Sequence, residues 1–228
     1  MASIALTSFL EAIAEVPDLG VAEPMASTTH AALRRARAVG RAQAVLLSSH
    51  FERYFYAVNE EAVGHVNRLG VAASELPSTL KLLHSKEPID SAAKTDWENR
   101  SAKLSELVKS DAWLWSGSDA GHLTHGRLLA WMSAPKPEQL VRYYRYWDIA
   151  DIFSAMTRTK QSRSRLWLGI QELVDKRNNI AHGDFDAQAT KADIRRYTDS
   201  VRLFCTRADA KLGQAVSKMG PVGTVPVW

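Results

Sequence analysis

In the stretch "LVDKRNNIAHGD", residues 173–184, a guanidinium at Arg177, a carboxamide at Asn178 and an imidazole at His182 stand close together. Arginine is a fixed cation with a planar fork of donors, and histidine gains and loses a proton near neutral pH. Such types suit proton transfer beside an anion that must be held. The same residues also read as a helix running into its cap. Gly183 stands where a left-handed C-terminal residue is wanted, Arg177 and His182 put positive character near the helix's negative end, and Asp184 starts a turn.

Arg177 is the harder residue to explain by capping. Leu166, Ile170, Leu173 and Ile180 recur at helical steps and mark one buried stripe, and Arg177 fills the slot between Leu173 and Ile180. A cation there must snorkel, find a partner or face a cleft. Glu52, one residue from Phe51 on an inner stripe, is a candidate partner, and a solvated Glu52 pairing with nothing is the alternative. Asn178 and His182 share a polar face with Gln171 and Asp175. Arg177 and His182, five residues apart, diverge by about 140° at 3.6 residues per turn. Either the helix frays near Gly183, or two copies of the motif meet across a dimer axis.

The elements that must position these groups read as helical nearly throughout. A short N-terminal helix and a turn around Pro17 to Pro24 precede "STTH" (27–30), which offers caps. A long pattern follows to about Leu69, with Leu47, Phe51, Phe55 and Val58 on one face and Gly40 and Gly64 as candidate breaks. Pro77 opens a shorter helix that Pro88 closes. "IDSAAKTDWENRSAKLSELVKSDAWLW" is the next, with Trp97, Leu104, Leu107 and Val108 as core, and "SGSDAGHLTHGRL" is a loop. One helix starts around Pro137 and runs through "DIFSAM". The motif helix and a last helix opened by a Thr190–Asp193 capping box complete the set. No strand pattern or repeat stands out, and an all-α fold is the economical reading.

The 228 residues include 46% hydrophobic and 24% charged side chains, ordinary for a globular chain. A net charge of +4 attracts polyanions only weakly. The single cysteine, Cys205, excludes an internal disulfide and a cysteine-based zinc site, and "VRLFCTR" makes it an inert core thiol. The N-terminus lacks the basic segment of a signal peptide, and no apolar run approaches the ~20 residues of a membrane span. These features suit a cytoplasmic protein.

"TRTKQSRSR" (157–165) carries Arg158, Lys160, Arg163 and Arg165 without an acid. It suits a phosphate backbone and reads equally as a solvated helix start. "VRYYRYW" (141–147) could stack bases, but Leu140, Tyr144 and Trp147 are helix-spaced, which favours packing. His122 and His125 in "GHLTHG" lack the further ligands of a metal site, so no metal or other cofactor is expected. Phosphate-cradling glycine loops and "GxSxG" elbows are absent.

"RNNIAHG" in such a chain resembles the R-x(4–6)-H signature of the HEPN superfamily. "RAQAVLLSSHFERYFYAVNEEA" (41–62), "PKPEQLVRYYRYWDIADIF" (135–153) and "TKADIRRYTDSVRLF" (190–204) look like further segments of RiboL-PSP-type HEPN proteins. The resemblance implies a HEPN-like helical bundle with additional helices over 27–218. Residues 1–26 form an N-terminal extension and 219–228 an extended, non-helical tail, neither with a family counterpart. It further implies homodimerisation through the motif helices and metal-independent endoribonuclease activity, in a toxin or phage-defence effector with an antitoxin or other regulatory partner. Arg177 and His182 would then be catalytic, Asn178 assisting and Glu52 supporting, with Arg158, Lys160, Arg163 and Arg165 on the RNA. A non-catalytic HEPN module that binds RNA or a protein partner is the alternative.

Overall fold

The computed structural model describes residues 2–20, 29–116, 121–220 and 228. Among them the chain is all-α. Its helices are α1 (Ile4–Ala14), α2 (His30–Leu69), α3 (Ser78–Lys94), α4 (Trp97–Ser116), α5 (His125–Leu129), α6 (Pro137–Tyr146), α7 (Ile152–Met156), α8 (Lys160–Ala181) and α9 (Lys191–Ser217). Ser27 and Thr28 of the cap before α2, and most of the tail read as extended, lie outside the described residues. Two compact units emerge, one from Met1–Val58, Ala134–Leu140 and Phe153–Asp209, the other from Asn59–Ser133, Val141–Ile152 and Ala210–Trp228.

The first unit is built on the apolar face of α2. Leu47, Phe51, Phe55 and Val58 are fully buried, as their spacing requires. Phe51 and Phe55 meet Phe204 of α9 edge-on or tilted at 6.1 Å, and Phe204 meets Phe153 at 5.2 Å. Each large apolar side chain so buried contributes about 1.5–3 kcal/mol. The Tyr54 hydroxyl donates to the Cys205 carbonyl (3.2 Å), and burial pushes the Cys205 thiol well above its ordinary pKa, which keeps it protonated and inert. Helix α1 joins this core through Phe9, 5.3 Å from Tyr54, and its N-cap Ser3 is tied to Asp209 by backbone and hydroxyl.

Glycine at position 40 does not break α2. It lets two backbones meet, since a Cβ there would lie 2.1 Å from the Ala189 carbonyl oxygen. Gly169 of α8 instead makes room for a side chain, since a Cβ there would lie 2.2 Å from the Ser200 hydroxyl oxygen of α9.

In the second unit several expectations fail. Pro88 lies inside α3 instead of ending it. Its ring removes one donor, yet buried His84, Ser85 and Ala92 on either side anchor the helix through it. The break comes at Thr95, which turns extended (ψ 140°); there Arg100 takes up the Ala93 and Thr95 carbonyls. The expected core of α4 is also wrong. Trp97, Leu104 and Val108 are 78%, 46% and 61% exposed and Leu107 is half-buried, whereas Asp111 and Leu114 are the buried residues. Periodicity found a stripe, but the helix turns its neighbouring face inward, because Asp111 is drawn to His84, Ser85 and Arg127.

The end of the expected loop, from His125, is helical as part of α5, which buries Leu128 and Leu129. The helix expected from Pro137 through "DIFSAM" is two, α6 and α7, divided where Asp148 takes a positive φ of 62°. "VRYYRYW" packs: Tyr143, Tyr144 and Trp147 are fully buried, and Arg142 stacks on Trp131 at 4.5 Å.

Candidate active site

Helix α8 begins where the Thr159 hydroxyl accepts the Ser162 N–H at 3.1 Å. Leu166, Ile170, Leu173 and Val174 then bury one face, with Ile180 only half-buried. One turn beyond Leu173 the stripe delivers Arg177 to a half-buried position. Its Nη1 donates to Asn178 Oδ1 (3.1 Å), and its Nη2 lies 3.9 Å from Glu52 Oε2 on α2. Glu52 is therefore the carboxylate neighbour a cation in this slot needs. The pair is loose and about one-third exposed on each side, so its stabilisation is below ~1 kcal/mol. A guanidinium has five N–H donors, and these two neighbours leave most of them able to bind an anion.

The turn before Arg177 is fixed by Asp175, which accepts from Gln171 (2.6 Å) and pairs with Lys136 (2.9 Å). Burial alone would push its carboxyl up. The hydrogen bonds from Gln171 and Lys136 and the Lys136 charge outweigh that and hold it below the usual range.

The helix stays intact through Ala181 and ends in a Schellman motif. Gly183 takes φ 85°, its N–H reaching the Ile180 carbonyl (3.1 Å), while the Asp184 N–H reaches that of Asn179 (3.0 Å). Asp184 then accepts from the Asp186 and Ala187 N–H groups, forming the expected turn. His182 is the C-cap by its backbone alone. Its ring is exposed and makes no hydrogen bond or ion pair among the described residues. Fraying near Gly183 does not occur, so a single α8 does not aim Arg177 and His182 at one point.

The basic run sits at the far end of the same helix. Arg158, Lys160 and Arg165 are exposed and Arg163 is half-buried. At 1.5 Å per residue, Arg165 and His182 are about 26 Å apart along α8, so one chain does not bring the two groups together. Arg165 instead lines a cleft of about 440 Å³ with Ser162, Arg195, Arg196 and Asp199. A neighbouring cleft of about 410 Å³ is lined by Lys191, Arg195 and Arg202 together with Gln43 and Thr198. Sequence reading missed these α9 cations, although Lys191, Arg195 and Arg202 fall at steps of four and seven, which put them on one helical face.

Elsewhere, the His122 ring meets Asn67 (3.3 Å) and the His125 carbonyl accepts from Asn59 (2.8 Å). Among the described residues no three His, Cys, Asp or Glu side chains group as a metal-binding set, and no helix is long and apolar enough to cross a membrane.

Residues 21–218 match the HEPN_MAE_28990-like HEPN family model. The chain belongs to this HEPN family. The match begins after α1, so that helix precedes the HEPN region. Likeness to the RiboL-PSP branch is carried only by the segments quoted above. No curated protein and no solved structure matches the chain.

Proposed function

We propose that this HEPN chain is a metal-independent endoribonuclease whose site is completed when the C-terminal halves of two α8 helices meet. What most supports the reading is the state of His182: the fold uses its backbone to end α8 and leaves its imidazole in solvent without a partner. A structural histidine would be tied to a neighbour.

RNA carries its own nucleophile, so the protein has only to move protons and hold charge. The 2′-hydroxyl attacks the adjacent phosphorus while an imidazole takes its proton, and the 5′-oxygen leaves with a proton. The products are a 2′,3′-cyclic phosphate and a 5′-hydroxyl. His182 serves the proton transfers. Arg177 braces the phosphorane oxygens. Asn178 Oδ1 steadies Arg177 and leaves its amide N–H groups for the phosphate, and Glu52 sets the guanidinium's direction from behind. Across a two-fold axis His182 of one copy faces Arg177 of the other, which resolves the divergence of about 140° within one helix. Arg158, Lys160, Arg163 and Arg165 hold the flanking strand. Such an enzyme would act in the cytoplasm as a toxin or phage-defence effector, restrained by a regulatory protein.

The experiment is incubation of wild type and His182→Ala with total RNA and tRNA in excess chelator, followed by end-group analysis. Cyclic phosphate ends from wild type alone are the expected result. Equal cleavage by both proteins, or its loss to chelator, would overturn the proposal. RNA binding without cleavage by either protein would favour a non-catalytic HEPN module.

A further inference from the structure

Helix α4 carries an apolar face that stays exposed among the described residues. Trp97, Leu104, Val108 and Trp115 are 78%, 46%, 61% and 55% exposed. Their steps of seven, four and seven place all four within about 20° of one direction, at 3.6 residues per turn. The face continues toward α3: the Trp115 indole N–H donates to Ser85 Oγ (3.2 Å), and the Lys81 ammonium lies 5.9 Å from the centre of the Trp115 rings. Next to Lys81, Leu82 is 57% exposed, and Ile89 one heptad on is 38% exposed.

The spacing reads the same in both directions about Glu106. If a second α4 is laid antiparallel with a two-fold axis level with that residue, Trp97 meets the other copy's Trp115, and Leu104 meets its Val108. Charges do not oppose the pairing. Glu106 itself points to the opposite side of α4 and pairs with Lys103 (2.8 Å), and Arg100 is engaged with Trp97 and the end of α3. Asp111, beside the stripe, is buried on His84, Ser85 and Arg127. A two-fold interface needs a patch complementary to itself, and this one is.

The area suffices. At up to ~250 Å² for a fully exposed tryptophan, Trp97 and Trp115 present on the order of 300 Å² between them. With Leu104, Val108 and, on α3, Leu82 and Ile89, the exposed apolar surface comes to roughly 600 Å² per copy, so complete pairing removes up to about 1,200 Å², the lower bound of specific interfaces. Patches of this size on a soluble chain mark interaction sites.

We infer that the outer face of α4 is a self-association surface that takes a second copy of this chain antiparallel, with Trp97 against the partner copy's Trp115. This contact is separate from the pairing of α8 ends proposed above, and neither depends on the other.

Two measurements test it. Sedimentation compares wild type with Leu104→Glu/Val108→Glu, both sites being exposed, while circular dichroism and the melting temperature report on folding. The expected outcome is an at least twofold lower mass for the variant with folding unchanged. Wild type and variant of equal mass would overturn the inference. For register, Ser101→Cys and Ala112→Cys chains are oxidised separately and mixed; both positions are exposed, flank the stripe on one side and fall level in the antiparallel pair. Native Cys205 is buried and stays out of the reaction. Disulfide-linked dimer only in the mixture supports the arrangement. Linkage of each variant with itself would mean parallel pairing, and no linkage in the mixture would also overturn it.

Discussion

The Glu52 carboxylate on α2 and the Arg177 guanidinium on α8 stand 3.9 Å apart, close enough to attract and too far to hydrogen-bond. That distance separates aiming from anchoring. A tight, buried bidentate pair would commit Arg177 to the fold, whereas this one orients the cation and leaves it able to take a second anion.

Glu52→Gln therefore has a small effect on stability, below ~1 kcal/mol, or about 2–4 °C in melting temperature for a chain of this size. Under the proposed function RNA cleavage is expected to fall about tenfold, which corresponds to about 1.4 kcal/mol in the activation barrier. Parallel melting and cleavage assays decide it. A large drop in melting temperature with unchanged specific activity would make Glu52 a structural residue.

At the end of α8 the stability and activity of neighbouring residues should separate. His182→Ala removes an exposed ring with no partner, so melting shifts little while cleavage falls at least ~10²-fold. Gly183→Ala meets no atom within 4 Å of the added Cβ, yet must hold φ 85°, and loses about 1–2 kcal/mol. Denaturant titration of both variants gives the comparison. If His182→Ala proved the less stable of the two, the imidazole would belong to the fold.

The two glycines of α2 should respond oppositely to alanine. At position 40 the Cβ would press on the Ala189 carbonyl at 2.1 Å, backbone against backbone, so Gly40→Ala destabilises by about 1–3 kcal/mol. At position 64 it meets only the flexible end of Arg68 at 3.4 Å, so Gly64→Ala gains roughly 0.5–1 kcal/mol from helix propensity. Melting curves that moved together would refute the close-approach account.

Buried His84 gives the second unit a pH dependence of definite sign. Burial lowers its pKa, with Arg127 adding to that and Asp111 opposing it. Its Nε2 accepts the Thr124 N–H (2.9 Å), and its Nδ1 faces Asp111 (3.3 Å), which is the neutral ring's arrangement. The unfolded chain takes up the proton first, near pH ~6.5. Stability is thus full above that value and declines as pH falls toward the lower folded value. His65, also lowered by burial and Arg68, acts in the same direction. Asp111, Asp175 and Asp193 lie below the usual carboxylate range and stay charged throughout. Melting temperature from neutral to pH 5 should fall less steeply in His84→Gln than in wild type. Identical slopes would remove His84 from the account.

Local chemistry made much of this protein readable from its residues. The Thr190–Asp193 capping box forms as read, with Thr190 N–H and hydroxyl on Asp193 and the Asp193 N–H on Thr190. Gly183 ends α8, and the inner face of α2 follows its spacing, because caps, φ preferences and periodicity act within a few residues. The placement of Arg177 beside Leu173, and its need for a partner, was also local information.

What lay between elements was not. An apolar stripe at helical spacing says that a face wants cover, and only the packed fold decides whether its own chain supplies it. On α2 it does; on α4 the buried side is set by Asp111 reaching His84, Ser85 and Arg127, and Trp97 and Trp115 are left outside. In the same way Pro88 and Gly40 carry a local tendency to end a helix, and contacts distant in sequence outweigh it. The residues determined which helices form and where they are capped. The tertiary structure decided which faces meet, because burial energy depends on neighbours that no local pattern names.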